Sequence, residues 1–220
     1  MKKSIFLSFI LCLCLIACIP QQAMAQKQSR MEKLLRYLND NDADKWQKNR
    51  EKLDDETKAY YAEDLSLMDV LNDLWNGQSE QAATLYFGCY EKAAQSNFPG
   101  ICEGEKIPLS QIRDKADQSI INLLEASKDK IPFSRALLDS IHATEYPVDS
   151  AMLQRLQNIR EVALLEGMLK APTPIIYQTY VKEYPNGKFI AQVNASENVR
   201  LYQLVKTAPT PANFKAFFED

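Results

Sequence analysis

The feature that most constrains this chain is a repeat near its end, where the sequence Ala-Pro-Thr-Pro at Ala171–Pro174 recurs 37 residues later at Ala208–Pro211. Aromatic positions follow the same shift, pairing Tyr177 with Phe214 and Tyr180 with Phe217. A fixed period of this size is typical of stacked helical hairpins. Proteins of this kind usually form extended binding surfaces.

The repeated segment also contains the signals that begin and end helices. In both copies a threonine stands at the N-cap and a proline at the first helical position, where its missing N–H costs nothing. This predicts a short helix over Pro174–Glu183, a turn at Tyr184–Gly187 and a longer helix over Lys188–Lys206. Apolar residues match at the same shift: Met152, Leu156, Val162 and Met168 correspond to Phe189, Val193, Val199 and Val205.

No segment shows the sustained alternation of a strand, so we predict an all-α fold. The second half contains the pattern Tyr177-x-x-Tyr180-x-x-x-Tyr184-Pro185-Asn186-Gly187-Lys188-Phe189. Over residues 134–220 the chain resembles the tetratricopeptide-like helical-hairpin repeat proteins of the bacterial envelope. The resemblance implies antiparallel hairpins stacked as a right-handed solenoid, although the period here is 37 rather than about 34 residues.

The first 25 residues have the pattern of a secretory signal peptide. Lys2 and Lys3 precede an apolar run over Ile5–Ile19, and the small residues of Ala23–Ala25 predict cleavage between Ala25 and Gln26. We therefore expect an exported protein, periplasmic or associated with the outer membrane. No stretch approaches the ~20 apolar residues of a membrane-spanning helix, so no transmembrane segment is expected.

An alternative processing pattern lies within the same apolar run. Leu15–Cys18, with the sequence Leu-Ile-Ala-Cys, resembles a bacterial lipobox, in which the cysteine is lipidated and becomes the new N-terminus. The alanine site is favoured because Pro20 and the small residues stand where a cleavage region belongs. Membrane anchoring is expected only if Cys18 is lipidated.

The charge balance limits the classes of partner. Cleavage after Ala25 removes Lys2 and Lys3, which leaves 24 basic against 29 acidic residues and a net charge of −5. An acidic chain without a basic cluster argues against binding to nucleic acid or to an anionic membrane surface. Protein partners in the envelope are the remaining expectation.

Two cysteines, Cys89 and Cys102, remain after the signal peptide. In an oxidising compartment an even pair is a disulfide candidate. The alternative is that Cys89 is a small core residue, because Leu85, Cys89 and Ala93 fall on one helical face.

The mature chain divides into an irregular N-terminal helical region over residues 26–105 and a helical-hairpin repeat region over residues 106–220, which could form one continuous domain. Residues 97–106, with two of the six glycines, are predicted to be a loop. The second region begins with two similar segments, in which Ser110 and Ser134 are each placed to cap a helix.

The sequence contains no recognisable catalytic, cofactor-binding or metal-binding motif. His142 is the only histidine, and no nucleophile motif lies near it. The chain also lacks zinc-ligand spacing and a glycine-rich phosphate loop. Asp149–Ala151 resembles the acceptor for O-glycosylation of exported proteins in some Gram-negative bacteria, which makes Ser150 a candidate modification site.

The aromatic residues of the second half allow two interpretations, a core between helices or a peptide-binding groove; they are Tyr177, Tyr180, Phe189, Tyr202, Phe214 and Phe217. The core is favoured, because large apolar residues at matching repeat positions stack hairpins. If Phe214, Phe217 and Phe218 lack a neighbour, they form an apolar partner surface. We expect an exported, non-enzymatic interaction or scaffold module of the bacterial envelope. The alternative is a small-ligand binder or enzyme, with its site between the N-terminal helices and the repeats.

Overall fold

A computed structural model describes residues 23–77 and 79–219. These residues form helices and connecting turns with no strand among them, which confirms the predicted all-α class. The helices of the described chain are α1 (residues 23–39), α2 (Ala43–Glu51), α3 (Asp55–Tyr60), α4 (Ala62–Trp75), α5 (Glu80–Ala94), α6 (Phe98–Gly104), α7 (Leu109–Ala126), α8 (Lys130–His142), α9 (Ser150–Lys170), α10 (Pro174–Glu183), α11 (Ile190–Thr207) and α12 (Pro211–Glu219).

The chain divides into two compact units. Unit 1 takes in the described residues up to Ile120 together with Ala143–Tyr146, and unit 2 comprises Ile121–His142 and the described residues from Pro147 onwards. The division falls within α7, whereas the sequence suggested a boundary after residue 105. The first part of α7 belongs to unit 1 because it contributes buried apolar side chains to that core: Ile112, Ala116 and Ile120.

The core of unit 1 is built on amphipathic helices and a group of aromatic rings. α1 buries one apolar stripe, made of Met31, Leu34, Leu35 and Leu38. Tyr146 stands edge-on to Phe87, with ring centroids 4.9 Å apart, and contacts Tyr86 and Tyr90. Its hydroxyl donates a hydrogen bond of 2.5 Å to Asp117. The hydroxyl of Tyr146 thus keeps a hydrogen-bond partner while its ring is buried. Tyr146 thereby holds the segment after α8 in the core of unit 1.

Three local predictions in the middle of the chain are wrong. Residues 98–104, predicted as a loop, form helix α6, because Phe98 and Ile101 are buried on one face of the segment. Ser110 does not cap a helix, because α7 already begins at Leu109. Ser134 does not cap a helix either. α8 begins four residues earlier, at Lys130, because Pro132 is tolerated in a first helical turn.

Both copies of the Ala-Pro-Thr-Pro sequence lead into helices of unit 2. α10 begins at Pro174 and α12 at Pro211, which are 37 residues apart. The Oγ1 atom of Thr173 accepts a hydrogen bond of 3.2 Å from the amide of Ile176, and Thr210 Oγ1 accepts one of 3.2 Å from Asn213. Both predicted caps are confirmed.

The apolar matches between the two long helical segments differ in burial. Met152 and Met168 are buried, whereas their counterparts Phe189 and Val205 are half-buried. Leu156 and Val193 are both buried, as expected of core positions. Val162 and Val199 are both exposed, so this matching pair lies outside the core. The reason is helical geometry: successive residues lie about 100° apart, and Ala163 rather than Val162 faces the core.

Candidate functional site

Exposed apolar side chains are concentrated in unit 2. The described residues include nine large hydrophobic side chains that are exposed, and seven of them lie in unit 2: Val162, Leu169, Ile175, Val199, Tyr202, Phe214 and Phe218. Single exposed hydrophobic residues are normal, but neighbouring ones mark interaction sites.

One group of neighbouring residues lies on the last two helices, and we call it the terminal aromatic surface. It consists of Val199 and Tyr202 on α11 with Phe214, Phe217 and Phe218 on α12. The rings of Tyr202 and Phe217 have centroids 6.2 Å apart, and those of Phe217 and Phe218 are 5.2 Å apart. Tyr202 is 52% exposed, Phe214 42% and Phe218 76%. Aromatic rings therefore meet across two helices while remaining open to solvent.

The terminal aromatic surface differs from the matching position on α10. Tyr180, which corresponds to Phe217, is fully buried in an apolar cluster with Leu164, Met168 and Val193. These partners come from α9 and α11, which both pack against α10. The favoured interpretation of the aromatic residues as core is therefore correct for Tyr180 and wrong for Tyr202 and Phe214.

The turn after α10 is held by buried polar groups. Glu161 accepts a hydrogen bond of 2.8 Å from the Tyr180 hydroxyl and one of 2.7 Å from the amide of Lys188. The Tyr180 oxygen in turn accepts from the amide of Phe189 at 3.1 Å. A Cβ atom on Gly187 would lie 2.5 Å from Glu161 Oε1, so the turn approaches too closely for a side chain.

This polar arrangement is not repeated at α12. The residue matching Glu161 is Asn198, which is exposed, and Phe217 has no hydroxyl to match that of Tyr180. The terminal aromatic surface therefore offers mainly apolar contacts.

Unit 1 contains a cavity of about 490 Å³, lined by Met24, Ala25, Gln28, Tyr60, Tyr61, Asn97, Gly100 and Ile101. Its wall combines apolar side chains with tyrosine hydroxyls and amide groups, and none of these lining side chains is charged. Pockets of this size and composition suit a small neutral molecule.

A buried carboxyl group lies one helical turn from the cavity wall. Asp64 is fully buried and accepts a hydrogen bond from the Ser96 hydroxyl, whereas its Oδ2 atom has no partner among the described residues. Burial raises the pKa of Asp64 to about 6, and the bond from Ser96 opposes part of that rise. Asp64 follows Glu63 in a charged stretch, but it stands on the same helical face as Leu67, Met68 and Leu71, and this spacing is the sequence signal that could have indicated its burial.

The two candidate disulfide cysteines are both free in the structure. Cys89 is half-buried at the edge of the core face of α5, with its sulfur 3.4 Å from the Ser66 hydroxyl. Leu85, expected on the same core face, is exposed, because α5 buries Tyr86 and Phe87 instead. Cys102 is buried, and burial raises the pKa of its thiol to about 12. A thiol with so high a pKa is an unreactive core group.

The predicted processing sites lie at the beginning of the chain. Cys18 and the apolar run lie outside the described residues. Ala25 and Gln26 lie within α1, and cleavage between them would remove Met24 and Ala25 from the cavity wall.

The remaining candidate positions lie at helix ends. Ser150 is exposed at the first position of α9, where a modifying enzyme could reach it. His142 is exposed at the last position of α8. Among the described residues, no group of three or more His, Cys, Asp or Glu side chains is placed to hold a metal ion. None of the described helices is both long and apolar enough to span a membrane.

Comparisons with protein-family models, with curated proteins and with solved structures find no match for this chain. Its function must therefore be argued from its own surfaces.

Proposed function

We propose that this chain is an exported, non-enzymatic helical-repeat protein that acts as an interaction or scaffold module in the bacterial cell envelope. The observation that carries the proposal is the terminal aromatic surface, where the partly buried Phe217 ring contacts the exposed rings of Tyr202 and Phe218. The 37-residue period supports the accompanying proposal that the hairpins stack as a right-handed, tetratricopeptide-like solenoid.

The physical reason for a protein partner is the free energy available at this surface. Burying apolar area is worth about 25 cal/mol per Å². Aromatic residues add geometric selectivity and dominate the energetics of many interfaces. The acidic balance of the chain favours protein partners over nucleic acid.

Affinity capture from envelope extract tests the proposal. A tagged Phe218→Ser variant should lose proteins that the tagged wild type retains. Ile175→Ser is the matched control, because Ile175 and Phe218 are both 76% exposed and Ile175 lies on α10. Equal recovery by all three proteins, with unchanged circular dichroism, would contradict an interaction role for this surface.

The mass of the protein isolated from cells tests export. An N-terminus at Gln26 supports the favoured signal peptide, and an N-terminus at Cys18 with added lipid supports the anchored alternative. Retention of residues 1–25 in the accumulated protein would contradict export with cleavage.

A second candidate function, binding of a small ligand, is supported by the cavity of unit 1. The Cα of Gly100 lines this cavity, and a Cβ built there meets no atom within 4 Å. Gly100→Leu should therefore occupy part of the space and remove a co-purifying ligand seen by native mass spectrometry. Gly88→Ala, where a Cβ makes only an ordinary contact with Thr144, is the control. Absence of a bound molecule in the wild type would remove the support for this candidate.

A further inference from the structure

The repeat provides a template for what would cover the terminal aromatic surface. α10 packs against both α9 and α11, and these two helices also contact each other. α12 occupies the matching position one repeat later and packs against α11. If the 37-residue period continues, a helix in the position equivalent to that of α11 would cover α12.

Each of the three phenylalanines on α12 is more exposed than its counterpart on α10. Tyr180 is buried, and its counterpart Phe217 is partly exposed. Two further positions are half-buried on α10 and exposed on α12. The three aligned pairs are Tyr177 with Phe214, Tyr180 with Phe217 and Val181 with Phe218. The difference in exposure does not come from a loss of apolar character, because phenylalanine stands at each of these three positions on α12. It follows the packing, since α10 contacts both α9 and α11.

The chemistry of the covering helix can be identified from α11. Val193 is fully buried in the cluster around Tyr180, and Phe189 and Ile190 are partly buried against it. Ile190 and Val193 stand three residues apart and share one face of α11, and Phe189 is the N-cap residue directly before them. A helix with large apolar side chains at this spacing therefore fits the surface that α10 presents.

We infer that the terminal aromatic surface binds an amphipathic α-helix of a partner protein, in the position that α11 takes on α10. This inference rests on the proposed interaction function and specifies the class of partner. Binding of an apolar helix face in a hydrophobic groove is a common mode of recognition. Because Phe217 lacks the hydroxyl of Tyr180, and Asn198 on α11 stands in the place of Glu161, the contact depends on apolar burial and changes little with salt.

A peptide of residues 188–207 is a direct probe, because it carries the helix face that covers α10. Fluorescence anisotropy with the labelled peptide and the full chain should show saturable binding. Phe218→Ser should weaken that binding about tenfold, the size expected for loss of an aromatic anchor, and Phe214→Ser provides a second test. Ile175→Ser should change the affinity less than about twofold, as expected outside the contact. A Val193→Asp peptide should not bind.

Equal binding to wild type and to Phe218→Ser would overturn the inference, because the peptide would then bind elsewhere. Sedimentation of the wild type provides a second check. A dimer that Phe218→Ser dissociates would identify a second copy as the occupant and overturn the assignment to a partner protein.

The two proposals fail in distinguishable ways. If Phe218→Ser loses envelope partners but the peptide does not bind, the helix inference fails and the interaction function stands. If neither the envelope partners nor the peptide depends on Phe218, both proposals fail.

Discussion

Unit 1 and unit 2 both bury carboxyl groups, but they provide them with different hydrogen-bond partners. In unit 1, Asp64 has one oxygen bonded to Ser96 and the other without a partner among the described residues. In unit 2, Glu161 accepts bonds from the Tyr180 hydroxyl and from the amide of Lys188. The second donor is a backbone amide in a turn, where it is free of helical bonding. A backbone amide in a turn can therefore give a buried carboxyl group the second hydrogen bond that neighbouring side chains do not supply.

Arg160 shows the same feature of unit 2 for a buried cation, because its guanidinium group has several hydrogen-bond partners. Its Nε and Nη2 atoms bond to both oxygens of Glu183, at 2.5 and 2.9 Å. Its Nη1 atom donates to the carbonyl of Ile131 at 2.8 Å and to Ser134 Oγ at 3.3 Å. Burial alone would raise the pKa of Glu183, but Arg160 and Arg135 outweigh it and hold that pKa below its ordinary value. The three predictions below test this contrast between the units.

The largest effect is expected at Arg160. Arg160→Leu should lower the free energy of unfolding by about 3–5 kcal/mol, because it removes one partner of a buried ion pair and leaves polar atoms unsatisfied. Urea unfolding followed by circular dichroism measures the change. Arg155→Leu is the control, because its pair with Glu125 is half exposed and should cost less than about 1 kcal/mol. If both variants lose similar amounts of unfolding free energy, burial does not make the Arg160 ion pair more important than an exposed one.

A smaller effect of opposite sign is expected at Asp64. Its pKa of about 6 in the folded protein lies above the ordinary value of 3.8, so the folded state binds this proton more tightly than the unfolded state. The contribution of Asp64 to stability is therefore favourable below pH 4 and is lost as the pH rises through 6.

Asp64→Asn should remove that pH dependence and raise the free energy of unfolding at pH 8 by about 2–3 kcal/mol. Urea unfolding at several pH values between 4 and 8 measures it. Asp44→Asn is the control, because Asp44 is exposed on α2. If the free energy of unfolding of Asp64→Asn changes with pH as steeply as that of the wild type, Asp64 is not the source of the pH dependence in unit 1.

The smallest effects are expected at two matched helix caps, one in each unit. Ser79 Oγ accepts from the amide of Ala82 and Thr173 Oγ1 from that of Ile176, both at 3.2 Å. Ser79→Ala and Thr173→Ala should each lower the free energy of unfolding by about 1 kcal/mol, because each leaves one backbone amide without its hydrogen-bond acceptor. Thermal and urea unfolding would show nearly equal losses. Clearly unequal losses would mean that the units differ in local as well as in buried polar interactions.

Prediction from the sequence succeeded where neighbours along the chain decide the outcome. Thr173 and Thr210 cap their helices because each oxygen bonds an amide three residues away. Prediction failed where contacts with residues distant in the sequence determine the position of a side chain. Ser134 has the local pattern of a cap, yet it is fully buried within α8 and bonds Arg160, 26 residues further along the chain.

The sequence by itself determined that this chain is helical, where its repeated helices begin and which aromatic positions correspond, because caps, prolines and spacing act within a few residues. Only the tertiary structure decided which of those matching positions are covered. Tyr180 is buried and its counterpart Phe217 is partly exposed because burial depends on neighbouring helices, and α10 packs against both α9 and α11. The same dependence on distant neighbours sets the raised pKa of Asp64.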